Sequence, residues 1–479
     1  MPETTTKTAQ TENSVMESAN QRLAEFIVTA PKQHSPEALQ RSRRAVLDTI
    51  GCMLVGIDED VTKTVLASVA AWGQGTATVA GSDTTLPPPW AALVNGTSAK
   101  SFDFDDWDDF GYTHTTAILL PAILAALCGK SASGFDLFDA HIVGVEAIIR
   151  IGDPFNPGHY ARGWHATSTI GAIGAAAACA RAIGLNVEQT VYALSLATSM
   201  AGGTTTQFGT MAKPMHAGLA AKAGLLAATL AANGATAHTD TLDGPVSFTS
   251  MMTDASRDDL ARSLDKLGKP WAMDEHGLHI KLYPSCGGTH RVIAAALEIR
   301  QQHELDPGDI EAIDICVPDY LDELLPYDIP ANPIEALFSF PYCVAAAFYW
   351  GQAGIDEFKS AAVSNDSVLE LARKVSTHTR PSHNREKVFL EGDPDTVAVK
   401  TRSGQTLTGA VDVPYGAPPR LADDETVQRK FFDCALRKIS TEHASEIRDL
   451  VFRADGNWPV AELMLLLRSE QIAVGEPVN

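Results

Sequence analysis

The central part of the chain, residues 115–234, consists almost entirely of segments with the periodicity of α-helices. One segment, TSTIGAIGAAAACARAIGL at residues 167–185, is dense in glycine and alanine. A glycine in a helix interior costs about 1 kcal/mol relative to alanine, so such a helix needs a compensating contact. We therefore predict that this helix packs against its neighbours with the backbones close together. This feature favours a densely packed, mainly α fold.

The length and net charge of the chain limit the classes of protein to which it can belong. A chain of 479 residues is too long for one hydrophobic core and suits two domains. Its net charge of −22 argues against nucleic acid or an anionic membrane as a partner, because both require a basic surface. The sequence contains no run of about 18 uncharged apolar residues, so we predict no membrane span.

The cysteines and the N-terminal residues predict a compartment. Seven cysteines are scattered along the chain without a CxxC pair. Dispersed thiols of this kind are typical of the reducing cytosol and give no sign of a zinc site or an iron–sulfur cluster. The polar N-terminal residues lack the pattern of a signal peptide. The sequence thus predicts a cytoplasmic protein with buried thiols.

The pattern of predicted elements divides the chain into four parts. Residues 1–13 are predicted to be a disordered tail, residues 14–274 the first part of a helical domain, residues 275–417 an α+β insert, and residues 418–479 the returning helices. Ser14 with Glu17, and Ser35 before Pro36, have the spacing of helix starts. Within the insert, HIKLYPSC and IEAIDICVP are predicted as strands, and TVAVKTRSGQTLTGAVDV as a hairpin.

An unusual acidic segment, SFDFDDWDDFGYTHTTAILLP, occupies residues 101–121. Its five aspartates alternate with Phe102, Phe104 and Trp107, and His114 follows before an apolar helix begins. Carboxylates set among large apolar side chains are rarely buried without partners. We interpret the segment as a helix end and loop that bring Asp103 and His114 into a pocket. The alternative is an exposed acidic loop with its aromatic side chains tucked beneath it.

Four segments at predicted element boundaries carry candidate chemistry: Asp103 with His114, residues 163–168, residues 211–218 and residues 281–290. They supply His114, His165 and Lys213 as proton carriers, Lys281 and His290 as further cations, and Asp103 to orient a histidine. Such a set suits a small di- or tricarboxylate, because cations hold the carboxylates while a proton moves at the adjacent carbon. Each residue also has a structural alternative, as a helix cap or a surface side chain.

Metal binding is a further alternative for the acidic segment. Its aspartates could chelate a cation, but the segment lacks the glycine and glutamate positions of an EF-hand loop. The two histidines are also too far apart in sequence to form a recognisable ligand motif. We therefore predict no metal site.

Four motifs together resemble the MmgE/PrpD family. They are DFDD followed by a histidine (Asp103 to His114), GWH (Gly163 to His165), AKxxHxGxAAxxG (Ala212 to Gly224) and KLYPxCxxTH (Lys281 to His290). The likeness extends from about residue 17 to about residue 470. The resemblance implies a large all-helical domain with an inserted, smaller α+β lid domain, a homodimer, and a metal-free and cofactor-free site in the cleft between the two.

The resemblance also assigns residues to that site. Asp103, His114, His165 and Lys213 match the family's active-site positions, and Lys281 and His290 belong to the lid motif that faces the same cleft. Tyr327 lies where the family often has a site tyrosine. The chain departs from the usual pattern at Trp107, which replaces a threonine, and at Thr115–Thr116, which replace Pro-Ser.

Three functions remain open from the sequence. The first is a lyase, a dehydratase or decarboxylase, acting on a small polycarboxylic acid of the aconitate or methylcitrate type, with one of His114 and His165 moving the proton. The second is an isomerase that epimerises an amino- or imino-dicarboxylate, as iminodisuccinate epimerase does. The third is a non-catalytic relative that keeps the pocket. The longer path from Asp103 to His114 and the paired Asp108 and Asp109 favour the decarboxylase over a strict 2-methylcitrate dehydratase, and they could equally reshape the pocket for an amino-dicarboxylate.

Overall fold

The computed structural model describes residues 17–381 and 393–469. The predicted tail and the predicted cap Ser14 lie outside this range. The first helix begins at Ala19, where the Ser18 side chain accepts a hydrogen bond from the backbone N–H of Gln21 at 3.2 Å. The helix therefore starts later than its sequence pattern predicts, because Ser18 caps it.

Most of the described chain is helical. The helices that precede residue 280 are Ala19–Thr29 (α1), Pro36–Gly56 (α2), Asp60–Ala70 (α3), Pro88–Lys100 (α4), Thr115–Leu127 (α5), Gly134–Phe155 (α6), Gly158–Ala161 (α7), Ile170–Ile183 (α8), Val187–Thr198 (α9), Ala212–Ala232 (α10), Phe248–Met252 (α11), Arg257–Leu264 (α12) and Ala272–Glu275 (α13). Ser35 caps α2 as predicted. Two short antiparallel strands, Ala77–Thr78 (β1) and Thr85–Leu86 (β2), precede α4.

The glycine- and alanine-rich helix α8 lies at the centre of this part, as its composition predicts. All its residues from Ile170 to Arg181 are buried. A methyl group added at Gly174 would overlap the side chain of Ile148 on α6. A methyl group at Gly224 on α10 would lie 2.5 Å from the backbone nitrogen of Ala176. The small residues therefore let α6, α8 and α10 approach to backbone contact.

Replacing Gly224 with alanine tests this packing. The added methyl group meets α8 backbone, which cannot rotate away, so we expect a loss of about 1–3 kcal/mol in the free energy of unfolding. That loss should exceed the gain of about 1 kcal/mol in helix propensity. Gly202→Ala is the control, because nothing lies within 4 Å of its added methyl group. Equal denaturation midpoints for the two variants would contradict close helix packing at Gly224.

A second hydrophobic core is built by residues 292–411. Its helices are His290–His303 (α14), Asp319–Leu324 (α15), Pro333–Ala336 (α16), Phe340–Trp350 (α17), Ser360–Val363 (α18) and Asp366–Ala372 (α19). Its strands are Ile310–Pro318 (β3), Val375–Arg380 (β4), Asp395–Thr401 (β5) and Thr406–Val411 (β6), in the order β4-β3-β5-β6. β4 is parallel to β3, and the other pairs are antiparallel. The predicted strand at β3 and the predicted hairpin of β5 and β6 are confirmed.

The predicted strand at HIKLYPSC is wrong. Only one residue of it, His279, forms a bridge, and its partner is Trp107 in the acidic segment. The next N–H, from Ile280, donates to the carbonyl of Gly416 at 3.0 Å. The backbone of this segment therefore forms hydrogen bonds with two separate loops rather than with a neighbouring strand, although its residue pattern alternates like that of a strand.

The chain returns to the first core at its C-terminal end through Asp424–Ala435 (α20), Thr441–Phe452 (α21) and Val460–Leu466 (α22). α20 packs on α2, where a methyl group added at Gly51 would lie 3.3 Å from the Cα of Phe431. The fold is mainly α, and its described residues form two large hydrophobic cores and two smaller clusters. The domain boundaries at residues 274 and 417, and a lid function for the segment between them, stay predictions.

One helix of the described residues, Ala212–Ala232, is long and apolar enough to cross a membrane by length and composition alone. Within its most apolar window, 61% of the residues are buried inside the fold. A buried core helix meets the same criteria, so this is weak evidence for a membrane span.

Candidate active site

A cavity of about 360 Å³ lies where the helical core meets the segment after residue 280. Its lining comprises Asp103, Trp107, Tyr112, Thr113, His114, Pro157, Tyr160, Ala161, Gly163, His165, Thr205, Phe208, Lys213, Lys281, Cys286, Gly287, Gly288, Tyr320, Leu321 and Leu324. Ionisable groups gather at one end of this set, and aromatic and aliphatic side chains form the rest. All four segments singled out in the sequence contribute to the cavity.

The acidic segment is buried, so the exposed-loop alternative is wrong. Its five aspartates, Asp103, Asp105, Asp106, Asp108 and Asp109, are each at most 6% exposed. Asp108 accepts hydrogen bonds from the hydroxyls of Thr113, at 2.6 Å, and Thr115, at 2.9 Å. Asp106 accepts from the backbone N–H of Thr116 at 2.8 Å and from its hydroxyl. The two threonines that depart from the family pattern therefore hold the loop at the start of α5.

Asp103 lies at the centre of a lysine cluster. Its carboxylate contacts the ammonium groups of Lys100, Lys213 at 3.2 Å and Lys281 at 3.1 Å. Its backbone has φ = +50°, a conformation that non-glycine residues rarely adopt and that often marks functional sites. The turn at the end of α4 thus directs one carboxylate between ammonium groups from three separate parts of the chain.

The lysines of this cluster are held in an environment that disfavours their charge. Burial, with Lys281 as a further cause, lowers the pKa of Lys213 to about 7. Burial likewise lowers the pKa of Lys281 to about 8. Lys213 also lies over the rings of Phe208, at 4.6 Å, and Phe338, at 4.1 Å. A bound anion would relieve this unfavourable state, because an opposite charge nearby favours the protonated lysine.

His114 faces the same cluster from the start of α5. Its Nδ1 lies 3.1 Å from Asp105 Oδ2, and its Nε2 lies 3.8 Å from Asp103 Oδ1. The carboxylate nearest the imidazole is therefore Asp105 and not Asp103, which was predicted to orient a histidine, because the lysines draw Asp103 away. Burial, followed by the nearby lysines, lowers the pKa of His114 well below its usual value. This environment favours the neutral form of the ring.

His165 forms a pair with a second histidine. Its Nδ1 lies 2.8 Å from Nδ1 of His216, so one ring donates and the other accepts. Burial lowers the pKa of His216 to about 4, and burial together with His216 lowers that of His165 well below 6.5. The rings of His114 and His165 lie 6.4 Å apart between centroids. Two neutral imidazoles therefore face the cavity at different points.

Two predicted site residues lie elsewhere. His290 borders a separate space of about 10 Å³ behind Lys281 and Trp107, and among the described residues it does not line the main cavity. Tyr327 is likewise absent from the described lining, and its ring packs against Gly209. The chain turns at Pro284 before His290 begins α14, which moves that side chain behind the cavity wall. Substrate binding by these two residues stays a prediction.

Sequence reasoning missed Lys100, Asp105 and His216. Lys100 precedes Asp103 by three residues, but as the last residue of a helix it resembles an ordinary C-terminal cation. Asp105 lies within the DFDD motif, and His216 within the AKxxH motif. Their spacing from Asp103 and Lys213 was the available signal.

Within residues 17–381 and 393–469, one group of oxygen and nitrogen ligands could hold a metal ion, namely Asp103, Asp105 and His114, whose ligand atoms lie within 4.8 Å of one another. This donor set fits a metal ion poorly, because three buried lysines, Lys100, Lys213 and Lys281, already pair with these carboxylates. Lys100 Nζ lies 3.4 Å from Asp105, and Lys281 Nζ 3.1 Å from Asp103. A cation would have to displace these ammonium groups.

Fold and site together define a mainly α protein with a cavity lined by lysine and histidine side chains. The sequence matches the MmgE/PrpD N-terminal domain over residues 21–260 and the MmgE/PrpD C-terminal domain over residues 283–455. The chain belongs to the MmgE/PrpD family.

Several curated proteins similar to this chain are named cis-aconitate decarboxylase. Cis-aconitate decarboxylase of Mus musculus is 29% identical over 457 residues, covering 91% of this chain and 90% of that protein. The Homo sapiens cis-aconitate decarboxylase is 29% identical over 440 residues, covering 86% of each chain. That of Aspergillus terreus is 27% identical over 457 residues, covering 90% of this chain and 92% of its own.

Proposed function

We propose that this protein is a lyase that decarboxylates cis-aconitate or a close tricarboxylate analogue by proton transfer at carbon, without a bound metal. The observation that carries the proposal is the ammonium cluster around Asp103. Lys213 and Lys281 reach the cavity with pKa values lowered by burial to about 7 and about 8. The relatives named cis-aconitate decarboxylase support the choice of substrate and reaction.

The charge of the cavity favours a multiply anionic substrate. Lys100, Lys213 and Lys281 supply three ammonium groups against the carboxylates of Asp103 and Asp105. Each lysine pays a desolvation cost that a substrate carboxylate offsets when it binds. In this proposal Lys213 and Lys281 bind two carboxylates and so fix the orientation of the carbon that reacts.

The reaction needs a proton donor at carbon. Loss of CO₂ breaks a carbon–carbon bond and leaves its electron pair on the substrate, either on that carbon or, by a shift of the double bond, at the far alkene carbon. One proton must be added for each CO₂ released. His114 and His165 are the candidate donors, because both line the cavity. Burial lowers the pKa of each of these imidazoles.

Substrate binding would prepare the donor. The carboxylates of a bound trianion favour an imidazolium and oppose the effect of burial on the pKa of a nearby histidine. We therefore expect a histidine to take up a proton only when the substrate is present. The apolar walls then exclude water, so that the proton goes to the substrate carbanion rather than being lost to solvent.

Turnover in D₂O followed by ¹H and ¹³C NMR tests the proposal. With cis-aconitate we expect release of CO₂ and one carbon-bound deuterium per product molecule. Citrate, 2-methylcitrate and iminodisuccinate should react much more slowly. The test variant is His165→Asn. Its rate of CO₂ release should fall about 10²–10⁴-fold if that ring moves the proton.

Other outcomes of the same experiment would replace the proposal. Deuterium entering unchanged iminodisuccinate, without loss of CO₂, would indicate an epimerase. Loss of water from 2-methylcitrate would indicate a dehydratase. Thermal stabilisation by these acids without any reaction would indicate a binding protein.

We further propose a cytoplasmic homodimer. All seven cysteines are free thiols, which agrees with a reducing compartment. The dimer rests on the family resemblance. Light scattering of the purified chain should give twice the mass of 51.0 kDa, and a monomer mass would contradict it.

A further inference from the structure

The turn that carries Asp103 is also held from outside the cavity by a fourth buried lysine, Lys430 on α20. Its Nζ donates to the backbone carbonyl of Phe104 at 2.6 Å and lies 3.8 Å from the centroid of the Phe104 ring. The same Nζ lies 2.6 Å from Asp48 Oδ1 on α2. Lys430 is 7% exposed and does not belong to the described lining of the cavity. Its ammonium therefore connects the C-terminal helices to the acidic segment.

Two consecutive carbonyl groups of this turn accept hydrogen bonds from two different lysines. Lys281 donates to the carbonyl of Asp103 at 2.9 Å, and Lys430 donates to that of Phe104. Asp103 itself has the left-handed backbone conformation, which persists only where the surroundings impose it. The two ammonium groups hold the backbone at this turn, where the chain directs the Asp103 carboxylate towards Lys213.

Asp48 keeps Lys430 in its charged form. Burial lowers the pKa of Lys430, but Asp48 and the neighbouring thiols outweigh it, so the pKa is raised overall. Burial, opposed by Lys430, raises the pKa of Asp48 to about 6. The other ionisable groups that interact with this pair include Asp105, Asp106, Cys52, Cys434, Lys281 and His290. The ion pair is therefore complete at neutral pH and loses its anion below about pH 6.

We propose that Lys430, paired with Asp48, is a positioning residue that holds the turn at Asp103 and Phe104 and so keeps Asp103 among the lysines of the cavity. This inference rests on the proposed function. Lys430 acts only through the backbone of the acidic segment. Its loss should therefore affect the rate of the chemical step more than the affinity for substrate.

Lys430→Met tests the inference through steady-state kinetics. Because small misplacements at an active site can cost about 10²-fold in rate, we expect kcat to fall about 10-fold to 100-fold. KM should change less than about threefold, because Lys213 and Lys281 remain. Lys430→Arg keeps a cation and a donor and should retain most of the activity. The control is Lys438→Met, which removes an ammonium paired with the exposed Asp58 in the same region.

Hydrogen exchange provides a measurement that does not depend on turnover. In Lys430→Met the backbone amides of residues 101–114 should exchange faster, while those of residues 170–183 should not change. A merely structural role would accelerate both. If the wild-type protein does not decarboxylate cis-aconitate, the proposed function fails, but the exchange pattern still decides whether Lys430 positions the turn.

A second variant covers the case in which Lys430→Met does not fold. Asp48→Asn keeps the shape of the side chain and removes only the charge. Its kcat should be reduced at pH 7.5, and the difference from wild type should disappear near pH 5, where Asp48 of the wild type is protonated. Wild-type kcat in both variants, or uniform exchange along the chain, would overturn the inference.

Discussion

Lys213→Met should lower kcat/KM for cis-aconitate by about 10²–10⁴-fold, the range found when a residue that takes part in proton transfer or holds charge in the transition state is lost. Methionine keeps the length and apolar stem of the side chain and removes the ammonium that contacts Asp103 at 3.2 Å. Because Lys213 lines the cavity, the loss acts directly on the substrate. Steady-state assays of CO₂ release measure the effect.

The matched control is Lys222→Met on the same helix. Lys222 lies 5.4 Å from the centroid of the Trp90 ring and is not part of the described cavity lining. We expect this variant to keep wild-type turnover. If Lys213→Met also kept it, the assignment of the lysine cluster to catalysis would be wrong.

The pH dependence of the wild-type enzyme should report the same group. With a pKa lowered by burial to about 7, Lys213 is charged below that pH and neutral above it. kcat/KM reflects the free enzyme, so it should fall as the pH rises through about 7.

The stability of the fold should change with pH in the opposite direction. Lys213 of the unfolded chain keeps its proton up to about pH 10.4, so the folded state becomes more stable as the pH rises from about 7 to about 10.4. Lys213→Met removes this buried ammonium and should therefore raise the free energy of unfolding. The increase should be largest at or below pH 7, where the wild-type lysine is charged.

Asp103→Asn should be the most destabilising single change among the site residues. It leaves the ammonium groups of Lys100, Lys213 and Lys281 buried without the carboxylate that they share. Removing one partner of a buried ion pair costs about 3–5 kcal/mol in the free energy of unfolding. Asparagine tolerates the left-handed backbone, so the change isolates the charge from the conformation of the turn. Chemical denaturation at pH 7 measures the loss.

Asp265→Asn serves as the comparison for this prediction. Asp265 forms an ion pair with Arg22 at 2.7 Å, but its side chain is 71% exposed. Such surface pairs contribute about 0–1 kcal/mol. The deficit of Asp103→Asn should also shrink above pH 8, where the lysines lose their protons. A loss no larger than that of Asp265→Asn would mean that Asp103 does not hold the cluster together.

Much of the helical part could be predicted from the sequence, because local signals agree there with the tertiary packing. The cap at Ser35, the helix after Pro87 and the small-residue surface of α8 are decided by nearby residues and by side-chain size. HIKLYPSC was predicted wrongly, because its hydrogen bonds depend on Trp107 and Gly416, which are remote in sequence. Alternation along a segment does not reveal whether a partner strand exists.

The candidate site shows the same division. Its motifs identified Asp103, His114, His165, Lys213 and Lys281, all of which line one cavity. Nothing in the order of residues indicates that Asp105, rather than Asp103, is the carboxylate nearest His114. The motif also predicts that His290 faces the cleft. That stays a prediction, because a motif fixes the order of residues but not the direction of each side chain, and His290 borders a separate small space.

By itself the sequence determined the mainly α class, the small-residue packing and the segments that carry ionisable groups, since these follow from composition and local spacing. Only the tertiary structure decided that the acidic segment is buried and that lysines from α4, α10 and the segment after residue 280 meet at one carboxylate. The physical reason is that the pairing and the lowered pKa values of buried charges depend on which distant groups exclude water around them.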